Sequence, residues 1–364
     1  MAVYVVAPAG VYTGGPTALF QLCNALRRYG VNAIVAFYGK VEGDPLHPNY
    51  RKYGCPWVTV RDIKDEKQNA IITPETAIQQ ITSFTKSKKI IYWLAVDNYV
   101  LSSYKPSKLN CISYLVKRYT LDPYILYSFL TRKMAFYRHS YNAVYAKSLI
   151  DRKIVSIPNA DLHLAQSRYA IEFLRSMGIC DENIIMVHEP IEEEFLTNAM
   201  KVKYYGKVNA IAWNSRKAYP VAFKLVNILR KHGFTVFELA NVGKERMIKI
   251  LSRTKIFLDI GIHPGRDRPL REAVALDNIA VVNNHGGYYY FDDCMVPGEF
   301  KWDCYFDCRI DYRKYVEKIE NYLENFEYYI KKFYHFKQYI LQEPYIFLND
   351  VRRLAEVLEE WGVG

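Results

Sequence analysis

The sequence predicts an α/β protein of two doubly wound domains, and three observations support this fold class. Short apolar, β-branched runs alternate with amphipathic segments of helical period, as in parallel sheets that carry helices on their faces. The alternation stops near residues 197–207, where the chain is polar and lacks a strong period, and then resumes. The 364 residues also exceed the roughly 250–300 at which single cores stop growing.

The first half of the chain opens with a βαβ unit. An apolar strand at 2–8 is followed by a glycine-containing loop, a helix at 17–30 that ends at Gly30, and a second strand at 31–39. The same reasoning predicts helices at 75–86 and 168–179, and strands at 70–73, 89–96, 161–167 and 183–190.

The second half repeats the pattern and ends in a helical tail. We predict an N-terminal domain at 1–200, a second domain at 201–335, and a tail at 336–364 that packs back on the first domain. Pro344 is the expected break within the helical residues 311–364. Strands are predicted at 209–214, 234–240, 255–262 and 279–284, and helices at 220–233, 244–254 and 270–278.

Composition excludes several protein classes. Hydrophobic residues form 50% of the chain, which excludes disorder, and no apolar run approaches the ~20 residues of a membrane span. The start lacks signal-peptide features and the seven cysteines are scattered, so we expect reduced thiols in a cytoplasmic protein. The formal charge of +11 leaves nucleic acid, an anionic membrane surface and a phosphate-bearing substrate open as partners.

Two short motifs follow predicted strands, at the position where ligands bind in open α/β sheets. Gly14 and Gly15 stand between the first strand and the first helix, where a phosphate could approach the backbone closely; a tight turn would use the same residues. Arg216 and Lys217 follow a later strand and could hold a diphosphate, the alternative being a solvated basic turn.

A third motif, residues 261–273, leads from an apolar strand into an amphipathic helix. The amides of residues 265–268 and the helix start predict an anion-binding concavity, and Pro269 suits the first helical turn. Glu272 could bond a ribose diol or simply complement the helix dipole. A fourth candidate, Asp97, follows a predicted strand and is expected either to bond an acceptor hydroxyl or to cap the next turn.

The third motif also carries a family resemblance. Residues 257–287, FLDIGIHPGRDRPLREAVALDNIAVVNNHGG, resemble the donor-binding segment of GT-B glycosyltransferases, in particular retaining enzymes of family 4. The segments TGGPT, ADLHLAQSRYAIEFLRSMGI and WNSRK follow the order of that family, and the likeness covers most of residues 1–290. The segment KIIYWLAVDNY looks like a bacterial polysaccharide-glycosyltransferase variant with the same PGRDR-type loop.

This resemblance implies a GT-B architecture, two Rossmann-like domains that face a central cleft and bind a nucleotide-diphosphate sugar there. Arg216 and Lys217 match the cation pair that steadies the leaving diphosphate. Glu272 matches the second glutamate of the family motif, which holds the ribose. Gly14 and Gly15 match the glycine loop of the acceptor domain, which approaches the donor phosphates.

Two positions depart from the family pattern. Pro264 stands where the first motif glutamate is expected, so the amides of Gly265 and Arg266 or the Asp267 side chain are the expected substitutes for its sugar contact. Asp97 stands where the family has an active-site histidine. The predicted catalytic residues are therefore Arg216, Lys217 and Asp97, and the predicted donor-binding residues are Gly14, Gly15, Gly265, Arg266, Asp267, Arg268 and Glu272.

The functional hypothesis is a glycosyltransferase that takes a nucleotide-diphosphate sugar as co-substrate, without a permanent cofactor. Cations and amides around the diphosphate would stabilise its developing charge, and no DxD-type metal motif stands at a strand end. The resemblance alone implies retention of configuration. The expected acceptor is a hydroxyl of a glycan, lipid-linked or protein-linked molecule. Alternatives are a GT-B enzyme that glucosylates DNA bases, a sugar-nucleotide epimerase of the same fold, and a non-catalytic binding protein.

Residues 114–153 form a basic and aromatic segment, with eight Lys or Arg, two Asp and nine aromatic residues. Such a surface could lie on an anionic membrane, which would make the protein peripheral on the inner face of a membrane. Nucleic acid is a less favoured partner for it. The alternative is a helical pair whose aromatic side chains are core and whose cations are solvated.

Overall fold

The computed structural model describes residues 1–40, 43–105, 142, 145–261, 263–304 and 311–363. The chain divides into two compact units: the first holds 1–102, 153–190 and 342–364, and the second holds 103–152 and 191–341. No helix among the described residues is both long and apolar enough to cross a membrane. Most of the basic segment 114–153 lies outside the described residues, which include only 142 and 145–153 of it.

A seven-stranded parallel sheet forms the first unit. Its strands are β1 (Val3–Pro8), β2 (Ala33–Tyr38), β3 (Trp57–Thr59), β4 (Ala70–Pro74), β5 (Lys88–Trp93), β6 (Leu162–Ala165) and β7 (Ile184–Met186). They lie in the order β3-β2-β1-β4-β5-β6-β7, and every neighbouring pair is parallel. The helices of this part of the chain are α1 (Gly14–Arg28), α2 (Val96–Ser103) and α3 (Arg168–Ser176).

The predicted βαβ unit at the start of the chain is confirmed. Strand β1 pairs with β2 in parallel, and α1 connects them. The helix buries Leu19, Leu22 and Leu26 against the sheet, as its helical spacing predicts. Tyr29, expected on the same face, instead follows the last helical residue and is exposed. The end of the chain joins the same core through Val351 and Leu354.

The second unit is built on a five-stranded parallel sheet. Its strands are β8 (Val208–Trp213), β9 (Thr235–Glu238), β10 (Thr254–Asp259), β11 (Ile279–Asn283) and β12 (Lys301–Trp302), in the order β12-β11-β10-β8-β9. Among the described residues its helices include α4 (Glu193–Ala199), α5 (Pro220–Lys231), α6 (Lys244–Arg253), α7 (Arg268–Ala275), α8 (Tyr312–Glu324) and α9 (Phe326–Ile330), followed by α10 (Tyr334–Glu360), which runs into the first unit. Two parallel α/β sheets therefore confirm the predicted fold class.

The helix predicted at 75–86 is wrong, because only a single 3-10 turn, Ile78–Gln80, forms there. Backbone turns form in this segment instead, and the amides of Ala77 and Ile81 each donate to the carbonyl three residues earlier. The Asp65 carboxylate, about twenty residues earlier in the chain, accepts the amides of Thr85, Lys86 and Ser87 at 2.8, 3.0 and 2.8 Å. These three hydrogen bonds fix the end of the segment outside a helix, directly before β5.

The break predicted at Pro344 is also wrong, since α10 continues through it from Tyr334 to Glu360. A proline inside a helix removes one backbone hydrogen bond and usually kinks or ends it. Here buried side chains on both sides of the proline hold the helix, Ile340 in the core of the second unit and Phe347 in that of the first. Burial of that apolar face offsets the loss of the hydrogen bond.

Candidate functional site

Three strand-end loops meet at the carboxyl edge of the sheet in the second unit. The loop after β8 is joined to the loop after β10 by a bridge between Ala218 and Gly261 and by the amide of Tyr219, which donates to the carbonyl of Ile260 at 3.0 Å. The loop after β11 joins the same group, because Gly287 donates its amide to the carbonyl of His263 at 2.9 Å. The edge is therefore a single hydrogen-bonded assembly.

Glycine is required at three places where these loops cross. A Cβ on Gly261 would lie 2.3 Å from the carbonyl oxygen of Lys217. A Cβ on Gly286 would lie 2.1 Å from that of His263, and one on Gly287 would lie 2.3 Å from that of Gly265. These distances are far shorter than any carbon–oxygen contact, so the loops approach this closely only because the residues lack side chains.

Three side chains, Lys217, Asp267 and His263, are in contact at this edge. Lys217 donates from Nζ to Oδ1 of Asp267 at 2.6 Å, and Nδ1 of His263 lies 3.2 Å from Oδ2 of the same carboxylate. Burial alone would raise the pKa of Asp267, but the Lys217 ammonium and the His263 ring outweigh burial and lower the pKa to about 2. Asp267 is therefore an ionised group that links a cation to an imidazole.

Further buried side chains hold the His263 ring in place. The ring of Tyr288 stacks on the ring of His263, with 3.5 Å between ring centroids and 19° between planes. Tyr288 donates to Oδ2 of Asp259 at 3.4 Å, and Asn214 donates to Oδ1 of Asp259 at 3.2 Å. Burial raises the pKa of Asp259 above its ordinary value. These contacts fix the plane of the His263 ring.

The remaining predicted residues of the second unit lie on the same edge but differ in exposure. Arg216 is exposed, whereas Gly265 and Arg266 are buried, the latter with its guanidinium 5.2 Å from the centre of the Tyr339 ring. Asp267 occupies the N-cap position of α7 without a side-chain capping hydrogen bond, Arg268 is the first residue of the helix, and Pro269 lies in its first turn as predicted. Glu272 is buried one turn further on, at 6% exposure.

The glycines predicted in the first unit begin helix α1. Gly14 is exposed and has no atom within 4 Å of where its Cβ would lie, and the nearest atom to that of Gly15 is Cδ1 of Leu94, at an ordinary 3.7 Å. Neither residue has the positive φ that favours glycine. The fold therefore does not require glycine at either position.

Asp97 lies in the first turn of α2, four residues after the end of β5. It is buried, at 7% exposure, and Oδ1 accepts the hydroxyl of Tyr169 at 2.7 Å. A second carboxyl group, Glu75, lies at the same edge directly after β4, and its Oε2 accepts the amide of Leu94 at 3.0 Å. Burial raises the pKa of Glu75 to about 7 against the opposing hydrogen bonds from backbone amides.

Sequence reasoning did not assign roles to His263, Asp259, Tyr288 or Glu75. His263 lies within the third motif, and Gly286 and Tyr288 lie three and five residues after the end of β11, so strand ends were the available signal. Within the described ranges, no group of three or more His, Cys, Asp or Glu side chains is arranged to hold a metal ion.

Comparison with known proteins identifies solved structures with a similar fold. No protein-family model and no curated protein matches the sequence. Among solved structures, Anabaena HepE in complex with UDP-glucose matches with a TM-score of 0.57 at 12% identity, over 99% of this chain and 100% of that one. Sucrose-phosphate synthase from Thermosynechococcus elongatus matches with a TM-score of 0.55 at 9% identity, over 99% and 98%.

The fold is GT-B. The expected pair of Rossmann-like domains is thereby confirmed at the level of fold. HepE has also been solved with UDP alone, with a TM-score of 0.55 at 12% identity.

Proposed function

We propose that this protein is a glycosyltransferase that moves a sugar from a nucleotide-diphosphate sugar to an acceptor hydroxyl. One observation carries the proposal: the loops after β8 and β10 bring Lys217 to Asp267, at the start of α7. A cation beside a helix N-terminus at the carboxyl edge of a parallel sheet is suited to bind a diphosphate. The likeness to HepE, which was solved with UDP-glucose, agrees with that ligand class.

The proposed mechanism follows from the charge that must be stabilised. When the bond between sugar and phosphate breaks, negative charge develops on the diphosphate, and fixed cations and amides lower that barrier. Arg216 is exposed at this edge, and Lys217 has 38% of its side chain exposed, so both can meet a ligand. The amides of Gly265 to Arg268 and the start of α7 add donors beside them.

Further roles are assigned on the family resemblance. Glu272 holds the ribose, and Gly14 and Gly15 let the donor phosphates approach the start of α1. The absence of any steric need for glycine at these two positions supports a ligand as the reason for them. Asp97 orients the acceptor hydroxyl in this scheme.

We further propose that transfer proceeds with retention and without a metal, to a glycan or lipid-linked acceptor. Arg216 and Lys217 supply the positive charge that a divalent ion would supply in a metal-dependent enzyme. A lipid-linked acceptor would bring the enzyme to the inner face of a membrane, with residues 114–153 as the contacting segment.

A thermal-shift screen over UDP-, GDP-, ADP- and dTDP-sugars tests the proposal. A true donor raises the melting temperature in step with its concentration, because it binds only the folded state. Transfer of the bound sugar is then assayed with and without EDTA, and the anomeric configuration of the product is read by NMR. A melting temperature unchanged by every sugar nucleotide would refute the proposal.

A further inference from the structure

Two buried thiols meet in the core of the first unit. Cys23 lies on α1 at 0% exposure, and Cys55 lies two residues before β3 at 8% exposure. The two side chains are hydrogen-bonded to each other. This contact between the thiols, together with burial, raises the pKa of Cys23 well above its ordinary value. Both residues are free cysteines in the structure.

Neighbouring hydrogen bonds hold the two thiols in place from both sides. Sγ of Cys55 donates to the carbonyl of Phe20, which lies three residues before Cys23 on α1, at 3.7 Å. On the other side, Nδ2 of Asn24 donates to the carbonyl of Tyr53 at 2.7 Å. Helix α1 and the segment that leads into β3 are therefore joined at the residues next to the thiol pair.

This arrangement fits the requirements of a disulfide bond. Because disulfide geometry tolerates little deviation, two cysteines can be bridged without backbone movement only where their side chains already face each other. Cys23 and Cys55 face each other in this way. The bond would close a loop of about thirty residues, and a loop of that length restricts the unfolded chain enough to stabilise a fold.

The difference in exposure determines which sulfur reacts first with an oxidant. Cys55 keeps a small exposed surface, whereas Cys23 has none and its raised pKa keeps it a thiol. Hydrogen peroxide is small enough to reach a nearly buried sulfur. The Cys55 sulfur attacks one peroxide oxygen, the O–O bond breaks, and the leaving hydroxide takes the thiol proton to form water. Cys55 is then a sulfenic acid.

Cys23 supplies the second thiol. Its sulfur attacks the sulfur of the Cys55 sulfenic acid, the S–O bond breaks, and the released hydroxide takes the Cys23 proton to form a second water. The S–S bond forms in the same step. Each cysteine has then lost one hydrogen atom, and the two electrons have reduced the peroxide to two water molecules.

We propose that Cys23 and Cys55 are an oxidation site, at which a peroxide converts the two thiols into an intrachain disulfide. The bond ties α1 to the segment before β3, a strand of 3 residues at one edge of the seven-stranded sheet. An edge strand pairs on one side only, so a covalent tie beside it adds support that the sheet does not supply. The first unit is therefore more stable oxidised than reduced. This inference is independent of the proposed function.

Peptide mapping of the folded chain by mass spectrometry, before and after treatment with hydrogen peroxide, tests the inference. Trypsin releases Cys23 within residues 1–27 and Cys55 within residues 53–61, so the disulfide yields these two peptides as one linked species that dithiothreitol separates. Cys55→Ser and Cys23→Ala should each abolish the linked species. Cys180→Ser, at an exposed cysteine, is the matched control and should retain it.

Thermal melting of the same samples measures the effect on stability. Oxidised wild type should melt about 5 °C above reduced wild type, because the bond restricts the unfolded chain. The shift is taken relative to Cys55→Ser treated in the same way, which accounts for peroxide damage at other residues. A melting temperature that is unchanged or lower in wild type carrying the linked peptides would overturn the inference.

Two further results would also overturn it. Linked peptides that form only when peroxide is added in urea would mean that the folded chain does not bring the two thiols together. A Cys55 that is oxidised to sulfinic acid, or that pairs with another cysteine, would mean that Cys23 is not its partner. The linked species is diagnostic in wild type alone, so a variant that fails to fold does not remove the test.

Discussion

The carboxyl edges of the two sheets are built in different ways. In the second unit, strand-end loops are joined backbone to backbone, and Gly261, Gly286 and Gly287 leave no room for a side chain. In the first unit, Gly14 and Gly15 begin a helix with ordinary φ angles and open space around them. The fold therefore requires glycine at the edge of the second unit. It does not require glycine at Gly14 and Gly15 of the first unit, where a ligand could be the reason for these residues.

The two edges also differ in the pKa of their buried carboxyl groups. Asp267 meets the Lys217 ammonium, which with His263 overcomes burial and lowers its pKa to about 2. Glu75 accepts hydrogen bonds from backbone amides, and burial raises its pKa to about 7. Asp267 is therefore ionised and paired with a cation, whereas the burial of Glu75 favours its protonated form at low pH.

The largest effect on folding is expected for Gly286→Ala. The new Cβ would lie 2.1 Å from the His263 carbonyl oxygen, at a residue with φ +58. Overpacking together with left-handed strain should lower the free energy of unfolding by about 4 kcal/mol. Urea unfolding measures this, with Gly298→Ala as the control, because no atom lies within 4 Å of its Cβ position. Equal stability of the two variants would show that the loops are not held together as described.

Lys217→Ala should affect catalysis and leave the fold nearly unchanged. Loss of a preorganised charge at the leaving group typically costs about 10²–10³ in turnover. Its ion pair with Asp267 is 38% exposed on the lysine side, so its loss should cost stability about 1 kcal/mol or less. Initial rates and melting temperatures are compared with those of Lys231→Ala, an exposed lysine at the end of α5. Wild-type rates in the Lys217 variant would remove its role at the diphosphate.

Glu75→Gln should change how stability depends on pH. The folded pKa of about 7 lies above the ordinary 4.5, so the contribution of Glu75 is fully present below pH 4.5 and is lost as pH rises through 7. The difference corresponds to about 3 kcal/mol between about pH 4.5 and about pH 8, which a neutral glutamine removes. Urea unfolding at the two pH values tests this, with the exposed Glu245→Gln as control. If the stability difference between wild type and variant were the same at both pH values, this prediction would be contradicted.

The smallest effect on stability is expected for Gly14→Ala. The site has room for a methyl group, and alanine is the better helix former, so the melting temperature should stay the same or rise slightly. If donor phosphates approach this backbone, a methyl group in their path should reduce sugar-nucleotide affinity about tenfold or more. Affinity measured beside the melting temperature decides this, and undiminished binding would show that the glycine serves no ligand.

Much of the architecture was predictable because the signals are local. Parallel strands buried on both faces read as short apolar runs, and α1 shows its buried face in the spacing of Leu19, Leu22 and Leu26. The failures have tertiary causes. Asp65, twenty residues earlier in the chain, fixes the end of the segment predicted as helix at 75–86, and buried side chains carry α10 past Pro344.

The candidate site, like the fold, has features that local sequence predicts and features that depend on tertiary structure. The sequence by itself determined the strand-end positions of Arg216, Lys217 and the 261–273 motif, because the end of an apolar run and the start of a helix are local features. Only the tertiary structure decided that Lys217 meets Asp267, since fifty residues separate them and only the parallel pairing of β8 with β10 brings their loops to one edge. The same is true of His263, whose ring position depends on the stack with Tyr288 from the loop after β11 and on the contact with Asp267.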